Sequence, residues 1–241
     1  MVIDALAPMH FGARAFGPVY VAHTAEEPRI WLTAIDRTLL PRALDVSRFM
    51  AGVGELLHVS VPGAVDVVLV DREADFCIVG HRADPQARTL AAIAESQPDE
   101  RAAAALALAL ARTLADLHAR AIVHGLLVPS TIVLSGDRWA TWQHGLTPWC
   151  VADRLAPRLR PPGGDPIAPE LRAGGSGSPS SDVFAWGAAV ACLLTGAVGS
   201  EAIALFEMDG RDDPLRALVR GCLAPTPALR PADGVALLGR L

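Results

Sequence analysis

The sequence has 241 residues, of which 51% are hydrophobic and 20% charged, so it is long and apolar enough to bury a sizeable core. All 21 basic residues are arginine, and with 26 acidic residues they give a formal net charge of -5. No basic run could neutralise a series of phosphates, so nucleic acid and an anionic membrane surface are disfavoured as partners.

The four cysteines are widely spaced and form no Cys-x-x-Cys pair, which favours free thiols in a reducing compartment. No charged segment followed by an apolar one opens the chain as it would in a signal peptide. The longest charge-free apolar stretch, 183–198, is shorter than the roughly 20 residues that span a bilayer. We therefore expect a cytoplasmic protein in which this stretch is a core helix.

The first eighty residues have the pattern of a small β-sheet. Short apolar segments at 19–22, 30–35, 65–70 and 76–79 are separated by clusters of turn-forming residues. One helical stretch, 45–57, interrupts them. We therefore predict a sheet with a single helix in this part of the chain.

Beyond residue 82 the pattern is mainly helical. A long Ala/Leu-rich helix is predicted over 101–119, and 182–194 is apolar on nearly every side, so it must be buried. A Gly-Asp turn between them predicts a β-hairpin over 132–142. The remaining predictions are a loop over 147–166 and two short helices within 213–241.

Four segments in this order resemble motifs of bacterial Ser/Thr protein kinases. Residues 117–134 resemble the catalytic loop and its following strand, and the Ala-Pro-Glu at 168–170 resembles the end of the activation segment. Residues 181–196 resemble the central helix, and 222–231 the closing helical region. The resemblance covers about residues 10–240. It implies an α+β, two-lobed protein-kinase fold, with a β-rich N-lobe (1–82) and a mainly helical C-lobe (83–241) that together form one domain.

The resemblance also implies structural roles for four residues. Glu170 would form an ion pair with Arg230, Asp182 would hold the backbone of the catalytic loop, and His124 would pack beneath that loop. These are scaffold positions, so their presence favours the fold without implying activity.

The residue types that kinase catalysis requires are absent from the matching positions. Phosphoryl transfer uses a catalytic Asp, an Asn and an Asp on Mg²⁺, a Lys on the phosphates, and a Glu that orients the Lys. In the catalytic loop Leu126 stands at the Asp position, Val128 at the Lys that follows it, and Thr131 at the Asn position. Gln143 replaces the Asp of the Asp-Phe-Gly triplet, which here is Gln-His-Gly.

The N-lobe departs from the family pattern in the same way. Two alignments of the Lys-bearing strand are open, one with Thr33 and one with Asp36 at the Lys position. In the first alignment Trp31 replaces the small residue above the adenine and would fill that pocket. Gly52 stands at the position of the helix Glu.

The nucleotide-binding segments are degenerate as well. The glycine-rich loop is matched by Gly12, Arg14 and Gly17, with Arg14 where a glycine would let the backbone approach phosphate. The hinge backbone is expected at Val79, Gly80 and His81. We expect no metal site and no cofactor, with ATP binding weak or absent.

The sequence therefore predicts a pseudokinase: a catalytically inactive scaffold or allosteric regulator in bacterial signalling. Its expected partner is another protein, such as a kinase or a phosphopeptide-binding domain. Two alternatives stay open. One is a sensor that binds ATP without Mg²⁺ through the hinge backbone, and the other is an enzyme with relocated catalytic residues, for which Asp36, Asp137 and Asp153 are the candidates.

Overall fold

An antiparallel sheet and one helix form the N-lobe. The computed structural model describes residues 6–8, 15–22, 29–135, 138–141, 143–159 and 166–241. The neighbouring strands are, in order, β1 (Leu6–Pro8), β2 (Val19–Ala22), β3 (Ile30–Asp36), β5 (Phe76–Arg82) and β4 (Val67–Arg72). Helix α1 (Ala43–Glu55) contacts β4 and β5. The predicted strands and helix are confirmed, although β5 continues to Arg82 instead of ending at residue 79.

Strand β3 lies between β2 and β5 and is buried on both faces. Successive side chains of a strand point to opposite faces. Ile30 and Leu32 pack in a small apolar cluster on one face, whereas Trp31 and Ile35 pack on the other. Thr33 shares that second face, which looks toward the C-lobe.

The C-lobe combines helices with a second small sheet. The sheet has the order β6 (Arg88–Thr89), β7 (Ile132–Ser135) and β8 (Arg138–Thr141), and β7 with β8 is the predicted hairpin. The helices are α2 (Leu90–Ala94), α3 (Glu100–Ala119), α4 (Ala152–Leu155), α5 (Pro169–Arg172), α6 (Pro179–Thr195), α7 (Gly199–Met208), α8 (Pro214–Cys222) and α9 (Gly234–Leu238).

Helices α3 and α6 are the centre of the C-lobe. Helix α6 begins where Ser178 Oγ accepts a hydrogen bond from Ser181 N (3.1 Å), and it ends at Gly196, whose φ of +72° suits glycine. Trp186 of α6 donates from Nε1 to the Ala107 carbonyl of α3 at 2.8 Å. By length and composition α3 alone, or α6 with α7 as a pair bent by 73°, would suffice to cross a membrane. In this fold α3 packs against α6 and α9.

The segment predicted as a loop over 147–166 is partly helical. It contains a 3₁₀ turn (Thr147–Trp149), then α4, then a second 3₁₀ turn (Ala156–Leu159). Leu155 and Leu159 are buried, and Val151 N donates to the Leu39 carbonyl of the N-lobe at 3.0 Å. These turns are too short to show a helical period in the sequence, and contacts with the other lobe stabilise them.

Arg230 and Glu170 form the ion pair that the resemblance implies. Arg230 donates to both Glu170 carboxylate oxygens, at 2.6 and 3.0 Å, and its side chain is fully buried. The same guanidinium donates to the carbonyls of Ser180, Ala224 and Pro225. The pair therefore joins the start of α5 to the start of α6 and the segment before α9.

We predict that Glu170→Gln destabilises the fold by about 2–4 kcal/mol, because it leaves the buried Arg230 charge without its carboxylate. Urea unfolding measures the loss. The exposed Glu207, substituted to Gln, is the control and should change stability by less than about 0.5 kcal/mol. Equal losses in the two variants would show that the pair contributes nothing to stability.

Candidate functional site

A buried carboxylate holds the backbone of the catalytic-loop segment. Asp182 accepts hydrogen bonds from His124 N (2.7 Å) and Gly125 N (2.8 Å). Its Oδ2 also lies 3.1 Å from His118 Nε2. Because His118 Nδ1 accepts from Gly234 N at 2.8 Å, Nε2 carries the ring hydrogen and donates it to Asp182. These contacts fix the loop where the resemblance places it.

The side chains that this loop presents are apolar and buried. Leu126 and Val128 are 2% and 4% exposed, and they belong to one apolar core with Phe16 of the N-lobe. Thr131 Oγ1 accepts from Val128 N at 2.9 Å and lies 3.1 Å from the Leu126 carbonyl oxygen. Thr131 therefore stabilises the loop itself, and Leu126 offers no proton acceptor to a substrate.

A neutral pair lies where the resemblance would place Lys and the metal-binding Asp. Gln143 Nε2 donates to Thr33 Oγ1 at 2.9 Å, and both side chains are fully buried. Asp36 instead lies at the end of β3, where it caps the next turn through Thr38 N and pairs with Arg158 at 3.0 Å. The sequence left two residues open for the Lys position, Thr33 and Asp36. In the structure it is Thr33 that lies against Gln143.

Trp31 fills the space beside this pair. Its side chain is 3% exposed and packs with Val19 of β2 and Val133 of β7, so the indole lies between the two lobes. Ala83, at the connection between the lobes, borders the same cluster. This is the place at which the resemblance puts an adenine ring.

The expected hinge residues lie inside a strand. Val79, Gly80 and His81 are part of β5, which pairs with β3 on one side and β4 on the other. The connection between the lobes begins after Arg82, and there Ala83 N donates to the Arg29 carbonyl at 3.2 Å. The expectation that Val79–His81 form a hinge was wrong, because neighbouring strands use this backbone.

Three buried histidines surround the Gln143 backbone. Gln143 N donates to His81 Nε2 at 3.3 Å, and the His144 ring lies 5.8 Å from that of His81 and 6.4 Å from that of His124. Burial lowers the pKa of His144 to about 4. Burial, and then the charges of His144 and His124, hold the pKa of His81 well below its ordinary value. No group of side chains in the described part of the chain is arranged to hold a metal ion.

Comparison with known proteins identifies the architecture. No protein-family model matches the sequence, and no curated protein sequence matches it. Solved structures do. A double-substitution variant of the Mycobacterium tuberculosis PknI kinase domain matches with a TM-score of 0.71 and 18% identity, covering 100% of this chain and 96% of that one. Another structure of the PknI kinase domain matches with a TM-score of 0.67 and 17% identity, covering 99% of this chain and 95% of that one.

This chain has the protein-kinase fold. At such identities the likeness establishes the fold alone, so function has to be argued from the residues in the cleft.

The kinase-fold helix α1 carries Gly52 because another side chain occupies the space beside it. A Cβ added at Gly52 would lie 2.1 Å from Cζ2 of Trp149. Trp149 comes from the first helical turn after the Gln-His-Gly triplet. The structure thus brings together two positions that the sequence analysis did not connect. A glycine inside a helix is the only local signal of this contact.

The activation-segment region of the kinase fold is attached to the N-lobe. Arg158 donates to Thr38 Oγ1 (2.9 Å) as well as to Asp36, and Arg154 donates to the Thr38 carbonyl (3.1 Å). The sequence analysis did not single out either arginine. As for the proposed relocated catalytic residues, Asp36 is held in this ion pair, Asp153 is exposed on α4, and Asp137 lies outside the described residues.

Of the glycine-rich loop, only Gly17 can be placed, since Gly12 and Arg14 lie outside the described residues. Gly17 has a φ of +141°, and a Cβ there would lie 2.1 Å from the Ala34 carbonyl oxygen. The close approach of β3 is therefore sufficient reason for glycine at this position.

The residues of the cleft do not fit a magnesium nucleotide. The Trp31 indole occupies the adenine side, and Gln143 offers a neutral amide where a hard cation prefers a carboxylate. The amide already donates from Nε2 to Thr33, although its buried Oε1 has no hydrogen-bond partner within the described residues.

The contact between Gly52 and Trp149 predicts opposite effects for two nearby substitutions. Gly52→Ala should destabilise the fold by about 1–3 kcal/mol, because the new methyl group overlaps the indole. Gly54→Ala on the same helix meets nothing within 4 Å and should stabilise the fold by up to about 1 kcal/mol. Urea unfolding of both variants measures the difference, and equal stabilisation would exclude the contact.

The buried His144 predicts a loss of stability at acid pH. The folded protein keeps His144 neutral down to about pH 4, whereas the unfolded chain takes up the proton near its ordinary value of about 6.5. The unfolded state therefore binds more protons between these values, and the free energy of unfolding falls as pH is lowered through this window, by up to about 3 kcal/mol.

His144→Phe should reduce this slope, and the exposed His58→Gln should leave it unchanged. Urea unfolding at pH 7, 6 and 5 gives the comparison. If the free energy of unfolding fell with pH in parallel for wild type and His144→Phe, the pH dependence could not be attributed to His144.

Proposed function

We propose that this chain is a pseudokinase: a protein of kinase fold that transfers no phosphate and acts by binding another protein. The observation that carries the proposal is the filling of the cleft by the chain's own side chains. Trp31 takes the adenine side, and Leu126, in the place of the catalytic base, is part of an apolar core shared by the two lobes. A phosphoryl-transfer site needs that space for nucleotide and metal.

The polar groups of the cleft support the same conclusion. Thr33 and Gln143 hydrogen-bond to each other, and the nearby imidazoles of His81 and His144 have lowered pKa values and are neutral at physiological pH. No charge in this set would stabilise the charge that develops on a transferring phosphoryl group. The kinase scaffold is kept, whereas the described residues of the cleft lack its electrostatic machinery.

The proposed partner is another protein, such as a kinase or a phosphopeptide-binding domain, met in the cytoplasm. The thiols agree with a reducing compartment: all four cysteines are buried, and none forms a disulfide within the described residues. Burial raises the pKa of Cys150 and Cys222 to about 12, so both thiols stay protonated and unreactive.

Thermal unfolding of the full chain with ATP, with and without Mg²⁺, tests the proposal. A ligand at one hundred times its dissociation constant would stabilise the fold by about 2.7 kcal/mol, and we expect no such shift in either condition. A shift that is independent of Mg²⁺ would favour an ATP sensor. A shift that requires Mg²⁺, or transfer of labelled phosphate to any acceptor, would overturn the proposal.

Trp31→Ala is the informative variant in the same assay. Removing the indole opens space for a base between Val19 and Val133. A thermal shift with ATP that appears only in this variant would show that the Trp31 indole prevents nucleotide binding. Leu126 and Gln143 would still prevent phosphoryl transfer.

A further inference from the structure

A cavity beside α1 is separate from the filled cleft. It has a volume of about 610 Å³ and lies between the end of α1, the turn after α3 and the segment that follows Gln143. We call it the α1 cavity, and its lining includes Glu55, Leu56, His58, Arg120, Ile122 and Trp149. Its volume is within the range of about 300–1,000 Å³ that is usual for ligand pockets.

One wall of the α1 cavity is an indole in a fixed position. Trp149 lies against the backbone of α1 at Gly52, yet 38% of it is exposed. Tryptophan is enriched among the residues that dominate protein interfaces.

One carboxylate on the rim of the α1 cavity has no partner among the described residues. Glu55 is exposed on its rim, and it forms no ion pair or hydrogen bond with any other residue that the structure describes. The arginine on the rim is already compensated, since Arg120 donates to the Asp116 carbonyl at 2.7 Å and lies 3.9 Å from its carboxylate. The formal charge of the chain, -5, has the same sign.

A second cavity adjoins the α1 cavity. It has about 370 Å³ and shares His58, Val59 and Ser60 with the α1 cavity. Its rim carries a compensated ion pair, in which Arg82 lies 3.3 Å from Asp66. The unpaired carboxylate of Glu55 is therefore the group that selects the occupant.

We propose that the α1 cavity is the docking site for a basic segment of a partner protein. An Arg or Lys side chain with apolar neighbours would lie against the Trp149 ring and pair with Glu55. The apolar neighbours would contact Leu56 and Ile122. This proposal rests on the proposed protein-binding function and names the surface and the chemistry of the partner.

Panning a phage library of random linear 12-residue peptides against the full chain tests the proposal. We expect the recovered sequences to be enriched in Arg or Lys next to apolar residues. A synthetic peptide from this set is then titrated by fluorescence anisotropy, together with a copy in which citrulline replaces arginine. The charge-free copy should bind at least about tenfold more weakly.

Matched variants locate the site. Glu55→Gln and Trp149→Leu should each weaken the selected peptide at least about fivefold, whereas the exposed Glu95→Gln should bind it like wild type. Thermal unfolding checks that each variant is folded. The Glu55 substitution is on the surface, so its result stands even if Trp149→Leu is unstable.

The outcomes separate this proposal from the one on which it rests. Recovery of no peptide, of acidic or uncharged peptides, or of peptides that bind Glu55→Gln like wild type would overturn the docking site. Peptides that bind Glu55→Gln like wild type would still be consistent with a protein-binding pseudokinase. Phosphate transfer in the nucleotide assay would overturn the pseudokinase function whatever the peptides show.

Discussion

The two lobes share one apolar core, and the character of the cleft depends on this shared packing. Phe16 and Phe49 of the N-lobe belong to the same buried cluster as Leu126, Leu155 and Leu159 of the C-lobe. Burying one such side chain contributes about 1.5–3 kcal/mol. Separating the lobes would therefore expose several of these side chains to water and lose their contributions together.

A closed cleft explains why Leu126 and Gln143, at positions where the kinase pattern has carboxylates, are uncharged. Water cannot solvate groups in this space, and a buried ion pair recovers its desolvation cost only with excellent geometry. A hydroxyl and an amide, Thr33 and Gln143, satisfy one another without charge. Asp36 and Arg158, which do form a charged pair, lie at the end of β3, where both side chains are partly exposed.

Much of the fold could be predicted because its elements are long or bounded by strong turn signals. Strands β2 and β3, helices α3 and α6, and the hairpin of β7 and β8 all lie within a few residues of their predicted positions. The choice between Thr33 and Asp36 could not be made from local sequence. In the structure Thr33, and not Asp36, hydrogen-bonds to Gln143, which is 110 residues away in the chain.

The helical turns within 147–159, where the sequence analysis predicted a loop, are stabilised by contacts between the lobes. The turns of 147–159 are each three or four residues long, and they depend on Leu39 and Thr38 of the N-lobe. The two glycines of α1 illustrate the same limit. Both reduce helix propensity equally, yet only Gly52 has a tryptophan against it, and no local pattern distinguishes them.

The attachment of the segment around α4 to the N-lobe has a consequence for how this protein meets others. Enzymes that close around a substrate have a domain movement on the path to the complex, and that movement often limits the rate. Here the backbone of Leu39 and the side chain of Thr38 already hold the C-lobe segment in contact. For a partner that touches both lobes we therefore expect rigid-body docking, at a rate governed by collision and orientation.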